Sequence, residues 1–134
     1  MTPALAIFAV FAGLNAVLYL ALTGHVIGFR GKRNRAMGDG GDTDMAMAIR
    51  GHANAAEQIP LGLILLGTMA AMGTPAWVIG LLGLAFTLGR MLHGMHFALR
   101  IGGLATRSIG MLLTLLSTGV MALGVLAHGI SGLF

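Results

Sequence analysis

Long apolar stretches separated by short polar connections dominate the chain. The four stretches run over about 3–29, 45–72, 75–99 and 108–130. Because about 20 mainly apolar residues suffice to cross a bilayer as a helix, each stretch is long enough to span a membrane. The pattern predicts an all-α integral membrane protein, a four-helix bundle that forms a single domain over residues 1–134.

The composition supports lipid as the solvent of this chain. Charged residues make up 9% of the sequence and hydrophobic residues 57%, whereas soluble domains carry about 25% charged residues. The net charge of +4 would be compatible with binding to nucleic acid. However, the basic residues lie next to apolar spans, where they usually set membrane orientation. We therefore expect no nucleic acid. The absence of cysteine excludes thiolate ligands, and we expect no metal site.

The basic residues cluster in two of the three connections. Six of the eight Lys and Arg lie in the loops 30–44 and 100–107, and the other two lie in the halves of their spans nearer these loops, whereas the turn at Gly73 and Thr74 and both termini carry none. Because positive residues stay in the cytoplasm, both loops are predicted to be cytoplasmic and both termini to lie outside. Thr43 or Asp44 is the expected cap of the second helix.

Polar residues inside the second and third spans are the most informative feature. In the second span the residues at spacing i, i+4, i+7 on one helical face are Arg50, Asn54 and Glu57. In the third span the residues at spacing i, i+3, i+7 are Arg90, His93 and Phe97. Charged groups inside a membrane are costly and usually functional.

The two opposite charges lie at the same predicted depth. Glu57 lies as many residues before the turn at Gly73 and Thr74 as Arg90 lies after it. An antiparallel helix pair therefore predicts a Glu57–Arg90 ion pair. A single structural pair does not need the further polar residues beside Glu57, so we expect a pocket for an anionic, polar ligand.

Three short strings resemble a known family. The string R-x-H-x-N-x-x-E-x-I-P over 50–60 resembles the signature of the MAPEG family, the membrane-associated proteins in eicosanoid and glutathione metabolism. The string GR-x-x-H-x-x-x-F over 89–97 and the pair Arg107-Ser108 are similar to the family's third-helix motif and the start of its fourth helix. The resemblance implies a homotrimer that binds glutathione as co-substrate between neighbouring subunits, near the cytoplasmic face.

The resemblance also implies residue roles. Arg50, Asn54 and Glu57 would hold glutathione, and Arg30 would reach it from the adjacent subunit. The same pocket is expected to include the other polar or facing residues of the two spans, which are His52, Gln58, Arg90, His93 and Phe97. Arg107 would stabilise the thiolate. Arg100 competes for this catalytic role, because the connection between Phe97 and Arg107 is one residue longer than the matching connection in the prostaglandin enzyme of the family.

The predicted function is that of a membrane-bound glutathione-dependent transferase or peroxidase. Its other partners would be membrane lipid and a lipophilic electrophile or hydroperoxide that arrives from the bilayer. Eicosanoid enzymes of the family often have tyrosine where this chain has Phe97, and the only tyrosine here is Tyr19. A trimeric membrane protein that retains the pocket without appreciable turnover is therefore one alternative. A small proton-coupled exporter that uses Glu57 is another.

Overall fold

The computed structural model, which describes residues 1–100 and 102–134, consists of four α-helices. They are α1 (Pro3–Arg33), α2 (Thr43–Ala71), α3 (Ala76–Leu99) and α4 (Gly103–Ser131). Helices α1, α3 and α4 are each long and apolar enough to cross a membrane. Helix α2 is as long as α4, but its charged and polar residues lower its hydropathy. The predicted all-α membrane bundle is confirmed.

Helices α2 and α3 form the central pair of the bundle. Each of them contacts both α1 and α4, whereas α1 and α4 do not touch within the described ranges. We call the end where α1 leads into α2 and α3 into α4 the loop end. The opposite end, with the turn at 72–75 and both termini, is the turn end. Most of the predicted site residues lie nearer the loop end, and Glu57 and Gln58 lie at the middle of α2.

The apolar core fills the half of the bundle nearer the turn end. Leu66, Ile79, Phe86 and Met121 are fully buried there. Gly62 on α2 faces the Phe86 ring, and a Cβ at this position would overlap that ring. A second, smaller apolar cluster of Leu22, Ala55 and Ile59 lies nearer the middle of the bundle, between α1 and α2.

The residue that caps α2 after the α1–α2 connection is not one of the two expected from the sequence. Helix α1 continues to Arg33 and ends at Asn34, whose φ of 49° is left-handed. Asp42, not Thr43 or Asp44, caps α2, because its side chain accepts a hydrogen bond from the Met45 amide at 2.9 Å. Arg33 also donates to Asp42, and this contact is the main reason why the pKa of Asp42 lies below its usual 3.8.

The α3–α4 connection is shorter than the expected loop over 100–107. Arg100 ends α3 with a φ of 55°, and Gly102 precedes α4 with a φ of 79°. A side chain at Gly102 would overlap Thr106, so glycine permits the sharp reversal. Helix α4 thus begins at Gly103, before the predicted start at 108, and Arg107 lies on a helix. The orientation of the termini stays a prediction.

Candidate functional site

A cavity of about 290 Å³ lies between α2, α3 and α4 near the loop end. Its lining residues are Arg50, Ala53, Asn54, Glu57, His93, Phe97, Arg107 and Met111. We call it the polar cavity. All of these except Ala53 and Met111 were predicted from the sequence to belong to the site. The structure therefore brings most of the predicted residues of three helices together.

Close contact between two glycines joins α3 to α4 beside this cavity. A Cβ at Gly89 would lie 2.8 Å from the backbone oxygen of Gly110, and a Cβ at Gly110 would lie 2.7 Å from the His93 nitrogen. Small residues permit such close approach of membrane helices. As a result His93 Nδ1 lies 3.3 Å from the backbone oxygen of Arg107, which fixes the position of the imidazole against α4.

Phe97 closes the cavity on the α3 side. Gly51 on α2 makes room for it, since a Cβ at Gly51 would lie 2.6 Å from Phe97 Cβ. The centroid of the Phe97 ring lies 5.0 Å from that of the His93 ring and 5.8 Å from Arg107 Cζ. The Arg107 guanidinium therefore lies over an aromatic face, a favourable position for a cation.

The predicted Glu57–Arg90 ion pair is wrong, since no such pair occurs among the residues that the structure describes. Arg90 is 1% exposed, and its Nη2 donates to Asn54 Oδ1 at 2.8 Å. Glu57 is exposed. It comes two residues after the buried Ala55, which places it about 200° around α2 from the packed face. Glu57 lines the cavity, whereas Arg90 does not line it and contacts the lining residue Asn54.

The charges that face the polar cavity are those of two arginines, Arg50 and Arg107, and one glutamate, Glu57. All three side chains are exposed in the single chain. A ligand with more negative than positive charge, and with both signs present, complements this lining. The arrangement can bind carboxylates and an ammonium group, and it can stabilise a further anion beside Arg107.

A second cavity of about 560 Å³ adjoins the first along α4. Its lining residues are His93, Leu104, Arg107, Ser108, Met111, Leu112 and Leu115. We call it the α4 groove. His93, Arg107 and Met111 line both cavities. The sequence prediction did not include this groove, although residues 104, 108, 111 and 115 recur at the spacing of one helical face.

Comparison with known proteins identifies the family. The sequence profile of the MAPEG family matches residues 8–127, a range that contains all three strings. The chain belongs to the MAPEG family. It is also 32% identical over 114 residues to the inner membrane protein YecN of Escherichia coli (strain K12), an alignment that covers 81% of this chain and 87% of YecN. The YecN protein of Escherichia coli O6:H1 matches to the same extent. The predicted family and the membrane location are confirmed.

The two arginines that competed for the catalytic role of a MAPEG enzyme lie in different surroundings. Arg107 lines both the polar cavity and the α4 groove. Arg100 does not line either of them, and its Nη2 lies 2.5 Å from Asp44 Oδ1. The geometry therefore favours Arg107 for contact with a ligand in this MAPEG site.

Three further residues of the predicted MAPEG site lie outside the lining of the polar cavity. Arg30 donates through Nη1 to the backbone oxygen of Ala36 at 2.6 Å. His52 faces α1, where its Nε2 lies 3.1 Å from Thr23 Oγ1. Gln58 is half-buried on α2 and does not line the cavity. Their roles in ligand binding stay predictions.

Proposed function

We propose that this MAPEG protein is a membrane-bound glutathione-dependent transferase or peroxidase that acts on lipophilic electrophiles or hydroperoxides. The supporting observation is that the charged polar cavity and the α4 groove meet at Arg107. A polar co-substrate would bind in the polar cavity and an apolar substrate in the α4 groove. The reactive groups of both would then lie next to the Arg107 guanidinium. Holding two reactants in this way is a major source of catalysis.

The lining of the polar cavity fits glutathione chemically. The tripeptide carries two carboxylates, one ammonium group and a thiol. Glu57 would bind the ammonium group and Arg50 a carboxylate, which leaves Arg107 for the sulfur. The cavity volume of about 290 Å³ is near the lower end of the range of small-molecule sites, about 300–1,000 Å³.

Arg107 would act by stabilising the thiolate form of glutathione. A free cysteine thiol has a pKa of about 8.5, and a nearby cation lowers it, so the proton passes to water. The thiolate would then attack an electrophilic carbon in the α4 groove, forming a sulfur–carbon bond as the leaving group departs with its electron pair. With a hydroperoxide, sulfur would attack the terminal oxygen, so that a sulfur–oxygen bond forms as the O–O bond breaks; this gives a sulfenic acid and an alkoxide, which takes up a proton to become the alcohol. A second glutathione then gives the disulfide and water.

A homotrimer would explain the exposure of the charged lining. Arg50, Glu57 and Arg107 are exposed in one chain, and a charge in a bilayer span costs at least about 2.5–3.5 kcal/mol. Another copy that packs against this face would cover them. The family resemblance implies three copies, with Arg30 reaching the neighbouring site. In the single chain Arg30 is bound to its own loop, so it would exchange this contact for glutathione.

Binding of glutathione without appreciable turnover is the second candidate. Phe97 brings no hydroxyl to the polar cavity, and Tyr19 lies on α1, with its ring 5.0 Å from that of His52. The thiol would therefore lack a phenolic donor. The exporter has less support, because Arg50 and Arg107 beside Glu57 would repel a cationic cargo.

The test is glutathione-dependent turnover of purified wild-type protein and Arg107→Ala, with chlorodinitrobenzene and cumene hydroperoxide as substrates. We expect Arg107→Ala to lower turnover about 100-fold or more, as for loss of other charge-stabilising groups. Arg35→Ala, which removes an exposed loop arginine, should keep it. Full turnover in Arg107→Ala would show that the assignment of Arg107 is wrong. A wild-type protein that binds glutathione but turns over neither substrate would favour the second candidate.

A further inference from the structure

Arg90 is a buried cation whose side chain makes one hydrogen bond within the described part of the chain. It is 1% exposed, and its Nη2 donates to Asn54 Oδ1 at 2.8 Å. Its Nε and Nη1 have no hydrogen-bond partner among residues 1–100 and 102–134. Arg90 does not line the polar cavity, whereas Asn54 does. The hydrogen bond to Asn54 therefore links the buried guanidinium to the lining of the cavity.

This contact decides which way the Asn54 amide faces. A guanidinium has only donors, so the atom opposite Arg90 must be the amide oxygen. The flipped amide would place its own NH₂ group against the buried cation. In an isolated asparagine side chain the two orientations differ little, but here Arg90 selects one of them. The atom left for the cavity is Nδ2, which donates to no other described residue.

We propose that Arg90 is a positioning residue that makes Asn54 a donor-only group, so that the cavity selects a ligand with a carboxylate or carbonyl oxygen at this point. The inference rests on the proposed function insofar as glutathione is that ligand. Glu57, three residues further along α2, is an acceptor. The two groups lie roughly 4.5 Å apart along the helix axis, and together they fix the order in which the ligand presents an oxygen and an ammonium group.

The substitution Asn54→Asp separates this role from a purely structural one. The new carboxylate would still accept from Arg90, now as an ion pair, so the protein should remain folded with no loss of thermal stability. The oxygen that replaces Nδ2 would repel a ligand oxygen. We expect the dissociation constant of glutathione, measured by calorimetry, to rise at least about tenfold. Asn34→Asp makes the same charge change in an exposed residue and should bind like wild type. Wild-type affinity in Asn54→Asp would overturn the inference.

A second pair of variants tests Arg90 itself. Arg90→Met removes the donor and keeps an apolar side chain of similar length, and it should weaken glutathione binding although Arg90 does not line the cavity. Arg90→Lys restores a donor-only group and should recover part of the affinity. Equal affinity in Arg90→Met and wild type would contradict a positioning role.

A measurement without glutathione keeps the inference separate from the proposed function. The chain contains three asparagines, so selective ¹⁵N labelling resolves three side-chain amides. Arg90→Met should shift the Asn54 amide signals and leave those of Asn34 unchanged, and Arg90→Lys should return them toward their wild-type positions. Unchanged Asn54 signals in Arg90→Met would overturn the inference. Shifted signals in a protein that binds no glutathione would uphold the inference and reject the proposed function.

Discussion

At the scale of single residues, the surroundings of Arg107 determine what the polar cavity can do to a bound thiol. The guanidinium lies over the Phe97 ring at 5.8 Å from its centroid, and the backbone oxygen of the same residue lies 3.3 Å from His93 Nδ1. Phe97 provides an aromatic face but no hydrogen-bond donor. Stabilisation of a thiolate would thus come from charge, without help from a phenol.

Phe97→Tyr should therefore increase glutathione-dependent turnover. A new hydroxyl in the cavity would donate to the thiolate, and a net gain of about 1 kcal/mol corresponds to about a fivefold increase in rate. The pH profile of turnover should move to lower pH, because the thiol would ionise more readily. Phe29→Tyr, which places the same group on α1 and outside the cavity, serves as control. No gain in Phe97→Tyr would show that the missing hydroxyl does not limit the reaction.

Spacing along the helices predicted most of the cavity lining but not every contact within it. The i, i+3, i+4 and i+7 patterns correctly grouped Arg50, Asn54 and Glu57 with His93 on the neighbouring helix. Counting residues from the turn gives the depth of a side chain but not the direction in which it points from the helix axis. This is why the sequence predicted a pair between Glu57 and Arg90, whereas the structure pairs Arg90 with Asn54.

At the scale of helices, the contact between α3 and α4 sets the geometry of the site. Gly89 and Gly110 allow the two backbones to approach so closely that an added Cβ would lie within 2.8 Å of backbone atoms. The sequence alone does not indicate which of its 22 glycines meet at this contact. It also misplaced the start of α4, because the reversal depends on Arg100, a residue type that rarely adopts its left-handed φ of 55°.

Gly110→Ala should separate α3 from α4 and destabilise the bundle. The added Cβ would lie 2.7 Å from the His93 nitrogen, and overpacking of this kind costs about 1–3 kcal/mol. The free energy of unfolding in mixed detergent micelles measures the effect. Gly119→Ala makes the same change on α4 where an added Cβ would meet no other helix of the described chain within 4 Å, and it should leave stability nearly unchanged. Equal stability of the two variants would contradict the close contact.

At the scale of the whole molecule, the bundle leaves one charged face uncovered. Because α1 and α4 do not touch in the part of the chain that is described, each of them has a wide exposed side. The polar cavity lies between α2, α3 and α4, with Arg50, Glu57 and Arg107 exposed. Hydropathy alone predicted a membrane bundle. The assembled helices show in addition that three charged residues of the cavity are exposed on one face of the single chain.

Native mass spectrometry of the protein in detergent should therefore detect particles of three chains, each of 13.8 kDa. Charged groups in a membrane protein rarely face lipid, and a neighbouring copy is the cover that we propose. Glu57→Leu, which makes this face more apolar, is expected to retain the trimer, since packing should hold it together. A protein that is monomeric at every detergent concentration would contradict the proposed assembly.

The most direct test of a glutathione site in the polar cavity is calorimetric titration of glutathione into the purified wild-type protein, Arg50→Ala and Glu57→Ala. We expect wild-type binding, and a dissociation constant at least about tenfold higher in each variant, because each loses a charge-assisted contact of about 1.5–3 kcal/mol. Arg35→Ala and Asp39→Ala remove exposed loop charges of the same two types and should bind like wild type. No binding to the wild-type protein, or undiminished binding to both cavity variants, would contradict the glutathione site.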